Sequence, residues 1–538
     1  MLRSATKPKL SLSIATGNTT RPSLSLKSPV APRTPISPVS PAAKRFSSLQ
    51  VPSYSYVNSC STKSILKKNS SVRPSAADKR IQFQGTPTIH CVTPIENTDE
   101  YYGKHTKISR EERRWIVRDD DTSVAIVEKK SDKSTGDQAK INFLKNITAD
   151  SRAHRGIHPI LALESHQENL ADLVNKALQS LPVSNDGGDS IKLADGSIRQ
   201  RPDFISATRG PGMRSNLSVG LDTGKALSVA WQIPMVGVHH MQAHLLTPRL
   251  VSCLENTKDS SPPYLTSPQF PFLSILVSGG HSIIVHSKSL TDHKIIASSD
   301  DIAMGETLDK AAREIIPPTL LQEAKTTMYG KTLEQFVFPN GPADFADYRP
   351  PMTRGEEVVK RKSQWGWSVT TPFANTRALQ LSFSSVASMV NKIVKDKDGC
   401  LSDEERVDLG REAMRVCFEH LSSRTIIALE ALRLRHRDEE EIQTLVVSGG
   451  VAANKFLMHV LRSFLDVRGF GHMKVVAPPP YLCTDNAAMI GWAGIEMFEA
   501  GWRTNLSCRA LRKWTLDPQA DDGGVLGPTG WVREGLPL

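Results

Sequence analysis

The chain has 538 residues, seven cysteines and a net charge of +11, enough length for two lobes with appendages. Twelve Lys and Arg lie between Met1 and Ala77 with no Asp or Glu among them; they exceed the whole net charge, so the remainder is close to neutral and its bulk field argues for no general nucleic-acid surface. The cysteines are scattered, odd in number and never spaced C-x-x-C, which argues against a zinc ribbon or disulfide scaffold, and no run approaches the roughly 18 apolar residues of a membrane span.

Residues 1–110 are rich in Ser, Pro, Lys and Arg and are expected to be a disordered leader. Three readings compete for it. The acid-free start Met1-Leu2-Arg3-Ser4 suits a mitochondrial transit peptide. Arg80, Ile81 and Phe83 resemble the docking peptide of protein phosphatase 1 partners. The third reading is a foreign segment joined by a faulty gene model.

Folded structure is expected from about Trp115, with an N-terminal lobe over 115–250, a surface insertion over 251–270, a C-terminal lobe over 271–517 and a tail over 518–538. The apolar patterns predict strands at Thr122–Val127, Pro202–Thr208, Ile233–Val238, Thr444–Ser448 and Lys474–Ala477, and two more within Phe272–Val285. Helices are predicted at Asn169–Leu181, Leu217–Trp231, Leu379–Val394, Leu409–Leu434, Asn454–Leu465 and Asn486–Ala500. Strands alternating with helices predict an α/β fold in two similar halves. Pro339–Lys362 has no period and reads as a loop or lid.

An apolar strand ends on Ser-Gly-Gly twice, at Val277-Ser278-Gly279-Gly280-His281 and at Val447-Ser448-Gly449-Gly450-Val451. Paired glycines let bare backbone N–H groups close around an anion. Two such turns predict two lobes facing each other across a phosphate-bearing ligand, and their recurrence fits an internal duplication. His240 and His244 stand at i and i+4, the spacing that lets two imidazoles on one helical face share a metal. Gln242 removes the Glu of a zinc-protease motif. Asp485, ahead of a helix, is the candidate third ligand, and capping that helix is its competing role. Two His and one carboxylate leave open positions on iron or zinc. Asn454 begins a helix directly after the second glycine turn and suits an adenosine pocket, while the carboxylates of Gly305-Glu306-Thr307-Leu308-Asp309-Lys310 suit ribose hydroxyls.

Together these motifs resemble the family of tRNA threonylcarbamoyladenosine-forming transferases, its mitochondrial branch above all. The series runs Asp120-Asp121-Thr122, Gly210-Pro211-Gly212, His239 to His244, Val277 to His281, Gly449 to Asn454 and Cys483-Thr484-Asp485-Asn486. The resemblance implies the duplicated two-lobed fold of actin, Hsp70 and sugar kinases. It implies one divalent metal per subunit on His240, His244 and Asp485. It implies substrate contacts at Val277, Ser278, Gly279, Gly280, His281, Asp309, Gly330 and Asn454, with Asp120 and Asp121 as supporting carboxylates. The implied reaction passes threonylcarbamoyl from threonylcarbamoyl-AMP to the adenosine 3′ of a tRNA anticodon, in a homodimer. The family's first strand ends in Glu-Thr-Ser-Cys, whereas Ile116-Val117-Arg118-Asp119 precedes Asp120 here, so that strand is expected to be distorted or missing. Arg354–Lys362 is a candidate tRNA surface. The competing readings are a kinase or ATPase of the same fold and an Hsp70-like nucleotide-gated binding protein.

Overall fold

The computed structural model describes residues 9–16, 121–132, 136–150, 158–184, 189–256, 265–299, 301–323, 329–435 and 442–534. Two five-stranded sheets dominate. The first is built from β1 (Lys9–Thr16), β2 (Asp121–Asp132), β3 (Gly136–Thr148), β4 (Phe204–Gly210) and β5 (Met235–His239) in the order β3-β2-β1-β4-β5. The second uses β6 (Phe272–Val277), β7 (Ser282–Ser287), β8 (His293–Ser298), β9 (Thr444–Ser448) and β10 (Lys474–Val476) in the order β8-β7-β6-β9-β10. The two orders are the same. Each sheet is an antiparallel meander of three strands continued by two parallel ones. The duplicated two-lobed architecture expected from the sequence is therefore present.

Three expectations need correction. The two Ser-Gly-Gly turns do not belong to opposite lobes. They end β6 and β9, adjacent parallel strands of one sheet in which Ser448 lies opposite Leu276. The duplication resides in strand order, and the shared tetrapeptide reflects two neighbouring strands that end at the same edge.

The first strand is not missing. Residues 116–119, and Asp120 with them, lie outside the described residues, and the position is filled by Lys9–Thr16 from the supposed leader. The phosphatase-docking residues Arg80, Ile81 and Phe83 also lie outside the described residues.

The lobes are not contiguous in sequence. Helix α1 (Pro159–Leu178), α2 (Arg214–Trp231) and α3 (His240–Glu255) precede β6, whereas α4 (Met304–Ile315), α5 (Tyr329–Val337), α6 (Ser384–Asp396), α7 (Asp403–Arg435) and α8 (Lys455–Val467) pack around the second sheet. The last long helix, α9 (Ala487–Glu499), returns to the first lobe and packs on β1, β2, β4, β5 and α3. Residues 487–497 of α9 are all buried, and a helix apolar on every side must lie inside the molecule. The expected tail packs there too, where Trp531–Arg533 pairs with Trp502–Thr504 and Trp514 Nε1 donates to the Gly524 carbonyl at 2.9 Å. Val251–Glu255, expected in an insertion, is the last turn of α3.

The loop after α5 is riveted rather than loose. Arg354 pairs with Glu357 and donates to the carbonyls of Phe373, Ala374 and Thr376, and Arg424 donates to those of Phe373, Thr376 and Ala378. Arg354 is thus withdrawn from the candidate tRNA surface, of whose cations Lys360, Arg361 and Lys362 stay exposed.

Buried histidines make this lobe acid-sensitive. His420 Nε2 accepts from the Ser382 amide at 3.2 Å, and burial, aided by Arg424 and Arg354, pushes the imidazole down to about 3. Burial likewise takes His293 down to about 4. The unfolded chain then binds more protons than the native one below the ordinary imidazole value, so stability falls as pH drops from about 6.5. The expected slope is about 1.4 kcal/mol per pH unit for each histidine. Melting curves between pH 7 and 5 check this: His420→Gln should flatten the wild-type slope by one histidine's share, and an unchanged slope would remove His420 as a cause.

Candidate active site

Strand β5 delivers the histidines to the edge where α3 begins. His239 closes the strand and caps the helix, its Nδ1 accepting from the Met241 and Gln242 amides at 3.1 and 3.5 Å. Its Nε2 therefore carries the proton and donates to the Trp514 carbonyl at 3.1 Å. Burial pushes His239 down to about 3, which fixes it as a neutral capping residue. Of the three histidines, His240 and His244 are left to face outward from the cap.

They converge on one atom. His240 Nε2 lies 3.2 Å and His244 Nε2 2.7 Å from Asp485 Oδ1, with the imidazole rings nearly perpendicular. The three potential ligand atoms fall within 4.8 Å of one another, the only such His/Cys/Asp/Glu group among the described residues. Burial alone would raise the Asp485 carboxyl, but the two imidazoles outweigh it and hold the group well below the usual carboxylate range. His244 is held below its ordinary value by burial, and its Nδ1 is buried with no hydrogen-bond partner among the described residues. Two ring nitrogens aimed at a single carboxylate oxygen are the contact that a bound cation replaces, so the donor set fits a metal.

Asp485 is not a cap. Asn486 takes that role for α9, accepting from the Met489 amide at 3.0 Å. The competing reading of Asp485 is thereby removed. Residues not singled out from the sequence fix its loop: Ser123 Oγ accepts from the Ala487 amide at 2.8 Å and donates to Asn146, whose Nδ2 donates to the Asp485 carbonyl at 3.3 Å. Asp121 stands close enough for the Asp485 charge to act on it. Burial raises its carboxyl, the Thr148 hydroxyl opposes that, and Asp485 adds to the rise.

The glycine turns come from the other lobe. Ser278 Oγ accepts from the Gly280 and His281 amides at 3.2 and 3.0 Å, and the Ser278 amide donates to the His281 carbonyl at 2.8 Å. A Cβ on Gly279 would meet nothing within 4 Å, so this turn faces open space. Val277 is fully buried in the core, which leaves only its backbone for a ligand. Gly449 has φ +95°, and a Cβ there would stand 2.4 Å from the Val277 carbonyl. The two turns are in backbone contact. A Cβ on Gly450 would in turn meet Thr484, the neighbour of Asp485, at 3.9 Å. Helix α3 packs against β6 and β9, and Gly450 beside Thr484 sets the second turn next to the Asp485 loop, so the ligand set and the joined turns are neighbours.

The remaining candidates fall into two groups. Gly330 donates its amide to Asp309 Oδ1 at 2.8 Å, which joins α5 to α4. Asn454 caps α8, its Oδ1 accepting from the Leu457 amide at 2.9 Å, so its NH₂ is the group left to offer a ligand. A cavity of about 470 Å³ lies elsewhere, lined by Tyr348, Trp367, Arg411 and Arg415 among others. Of the candidates only Arg361 and Lys362 of the basic stretch line it, and its Arg415 is already paired with Glu412 and Glu419.

Comparison with known proteins bears on this arrangement. The family model for TsaD, tRNA N6-adenosine threonylcarbamoyltransferase, matches residues 142–492. A mitochondrial tRNA N6-adenosine threonylcarbamoyltransferase of Schizosaccharomyces pombe is 33% identical over 425 residues, covering 77% of this chain and 87% of that protein. A tRNA N6-adenosine threonylcarbamoyltransferase of Brucella anthropi is 31% identical, covering 74% of this chain and 94% of its own length. A solved ROK hexokinase of Thermus thermophilus aligns weakly, at 11% identity and a TM-score of 0.30 over 69% of this chain and 94% of that one. With a family match across most of its length and relatives at this identity, the chain belongs to the tRNA N6-adenosine threonylcarbamoyltransferase family.

Proposed function

We infer that the chain transfers threonylcarbamoyl from threonylcarbamoyl-AMP to N6 of the adenosine 3′ of the anticodon in tRNAs that read ANN codons. The observation that carries this reading is the His240–His244–Asp485 set, with two joined glycine turns beside its Asp485 loop. The adenosine amine attacks the carbamoyl carbon, the bond to the AMP phosphate oxygen breaks, AMP leaves and the amine loses one proton. Such an amine is a weak nucleophile, so orientation and fixed dipoles supply most of the rate.

His240, His244 and Asp485 would hold one divalent ion, iron or zinc, whose chemistry is that of a Lewis acid anchoring and polarising an acyl phosphate. The Gly279 backbone offers an unobstructed face to the carbamoyl or phosphate oxygens. The Asn454 amide and Asp309 orient the adenosine end. Asp121, with its raised proton affinity, would support the proton's departure.

The partners are tRNA and, by the same reading, a second copy of the chain. The mitochondrion is the proposed compartment, supported by the Schizosaccharomyces pombe relative.

Digestion of tRNA after incubation with the full chain and threonylcarbamoyl-AMP tests the reaction. N6-threonylcarbamoyladenosine should appear in equal amount with AMP. ATP hydrolysis without any modified nucleoside would favour the kinase or ATPase reading instead. A milder change probes the support of Asp485: Ser123→Ala frees the loop, and Zn²⁺ titration should show affinity weakened by about tenfold. Unchanged affinity would mean that the loop holds its place without Ser123.

A further inference from the structure

In Lys9-Leu10-Ser11-Leu12-Ser13-Ile14-Ala15-Thr16, the large apolar Leu10, Leu12 and Ile14 alternate with the small Ser11, Ser13 and Ala15, the period of a strand. It occupies the middle of the first sheet. On one side it runs antiparallel to β2, from Lys9 opposite Lys129 to Thr16 opposite Thr122 without a register shift. On the other it runs parallel to β4, from Ser11 opposite Phe204 to Ile14 opposite Ala207. The second sheet has β6 in the equivalent place, between β7 and β9. Helix α9, which follows the Asp485 loop, packs across β1 as well as β2 and β4.

A central strand cannot be spared as an edge strand can. Without β1, the inner edges of β2 and β4 lose their partners, and β4, every residue of which is buried in the intact sheet, is laid open along one side. The sheet that positions His240, His244 and the Ser123 contact to the Asp485 loop would be divided.

We propose that Lys9–Thr16 is an obligatory part of the mature protein and that residues 17–120 are an insertion in the connection between β1 and β2. Any peptidase that trims the N-terminus must then cut before Lys9 or leave the chain whole. A basic, acid-free start and the core of the first lobe thus overlap in one short segment, which limits how a targeting signal there can be removed. The inference concerns the fold and its maturation, and it stands whether or not the transferase reading holds.

Amide hydrogen exchange on the full chain is the direct test. Amides of residues 10–16 should exchange at least about 1,000-fold more slowly than an unstructured peptide, in step with those of 204–210. Free exchange at 10–16 beside protected 204–210 would overturn the proposal. Two deletions extend the test. Removing 18–119 while keeping Lys9–Thr16 should leave the melting temperature and the protection of 204–210 unchanged. Removing 1–16 should abolish both, and a variant lacking 1–16 that melts with the full chain would refute the assignment. Protein recovered from cells should retain Lys9, whereas an active form beginning after Thr16 would contradict it.

Discussion

His240→Ala/His244→Ala is expected to abolish the proposed metal binding and, with it, to lower transfer activity by at least about 100-fold. Elemental analysis of the purified full chain checks the first result and a tRNA modification assay the second. The variant also has a predictable cost in stability. Asp485 would keep its largely buried carboxylate while losing both imidazole partners, at about 2 kcal/mol. In the wild type the carboxyl is held below its ordinary value, so its contribution is present above about pH 4 and lost as pH falls through the depressed value. Adding Asp485→Asn to the double variant should restore part of the melting temperature and none of the metal. Metal retained at full stoichiometry in the double variant would show that the ion sits elsewhere.

Gly449→Ala and Gly279→Ala are expected to part company, although both positions lie in Ser-Gly-Gly turns. At Gly449 a methyl group would stand 2.4 Å from a backbone carbonyl, on a residue with φ +95°. Strain and steric conflict together should remove about 3 kcal/mol and shift both turns. At Gly279 the methyl group meets no protein atom. Stability should stay within about 0.5 kcal/mol, while the added group enters the space assigned to substrate and raises KM. Thermal melts paired with steady-state kinetics separate the two. Equal loss of stability at both positions would contradict the open face given to Gly279.

Local pattern made the elements nearest the chemistry legible. Thr444–Ser448 is the strand that its apolar run predicts, and the helices at Asn454 and Asn486 start one residue later because those asparagines serve as caps. The spacing of His240 and His244 gave one helical face, and the structure brings Asp485 to it from the far end of the chain. Strand partners were not legible. Which sheet holds two similar turns depends on pairings between Phe272–Val277 and Thr444–Ser448, far apart in sequence, and nothing in either segment encodes the other. The edge strand Gly136–Thr148 escaped notice because its residues are mostly half-exposed and polar, which is how a sheet edge avoids further pairing. Lys9–Thr16 was hidden for the opposite reason, since its alternation is clear but the basic Ser- and Pro-rich residues around it dominate the composition. His239 shows that a motif residue can serve the backbone rather than a ligand.

The most direct test of the account is transfer of label from threonine-labelled threonylcarbamoyl-AMP to unmodified tRNA by the full chain, β1 included. Label should appear in tRNA, matched by released AMP, and should be lost on chelation, restored by added metal and absent from His240→Ala/His244→Ala. A folded, metal-loaded wild-type chain that transfers no label, or a double variant that transfers it undiminished, would contradict the account.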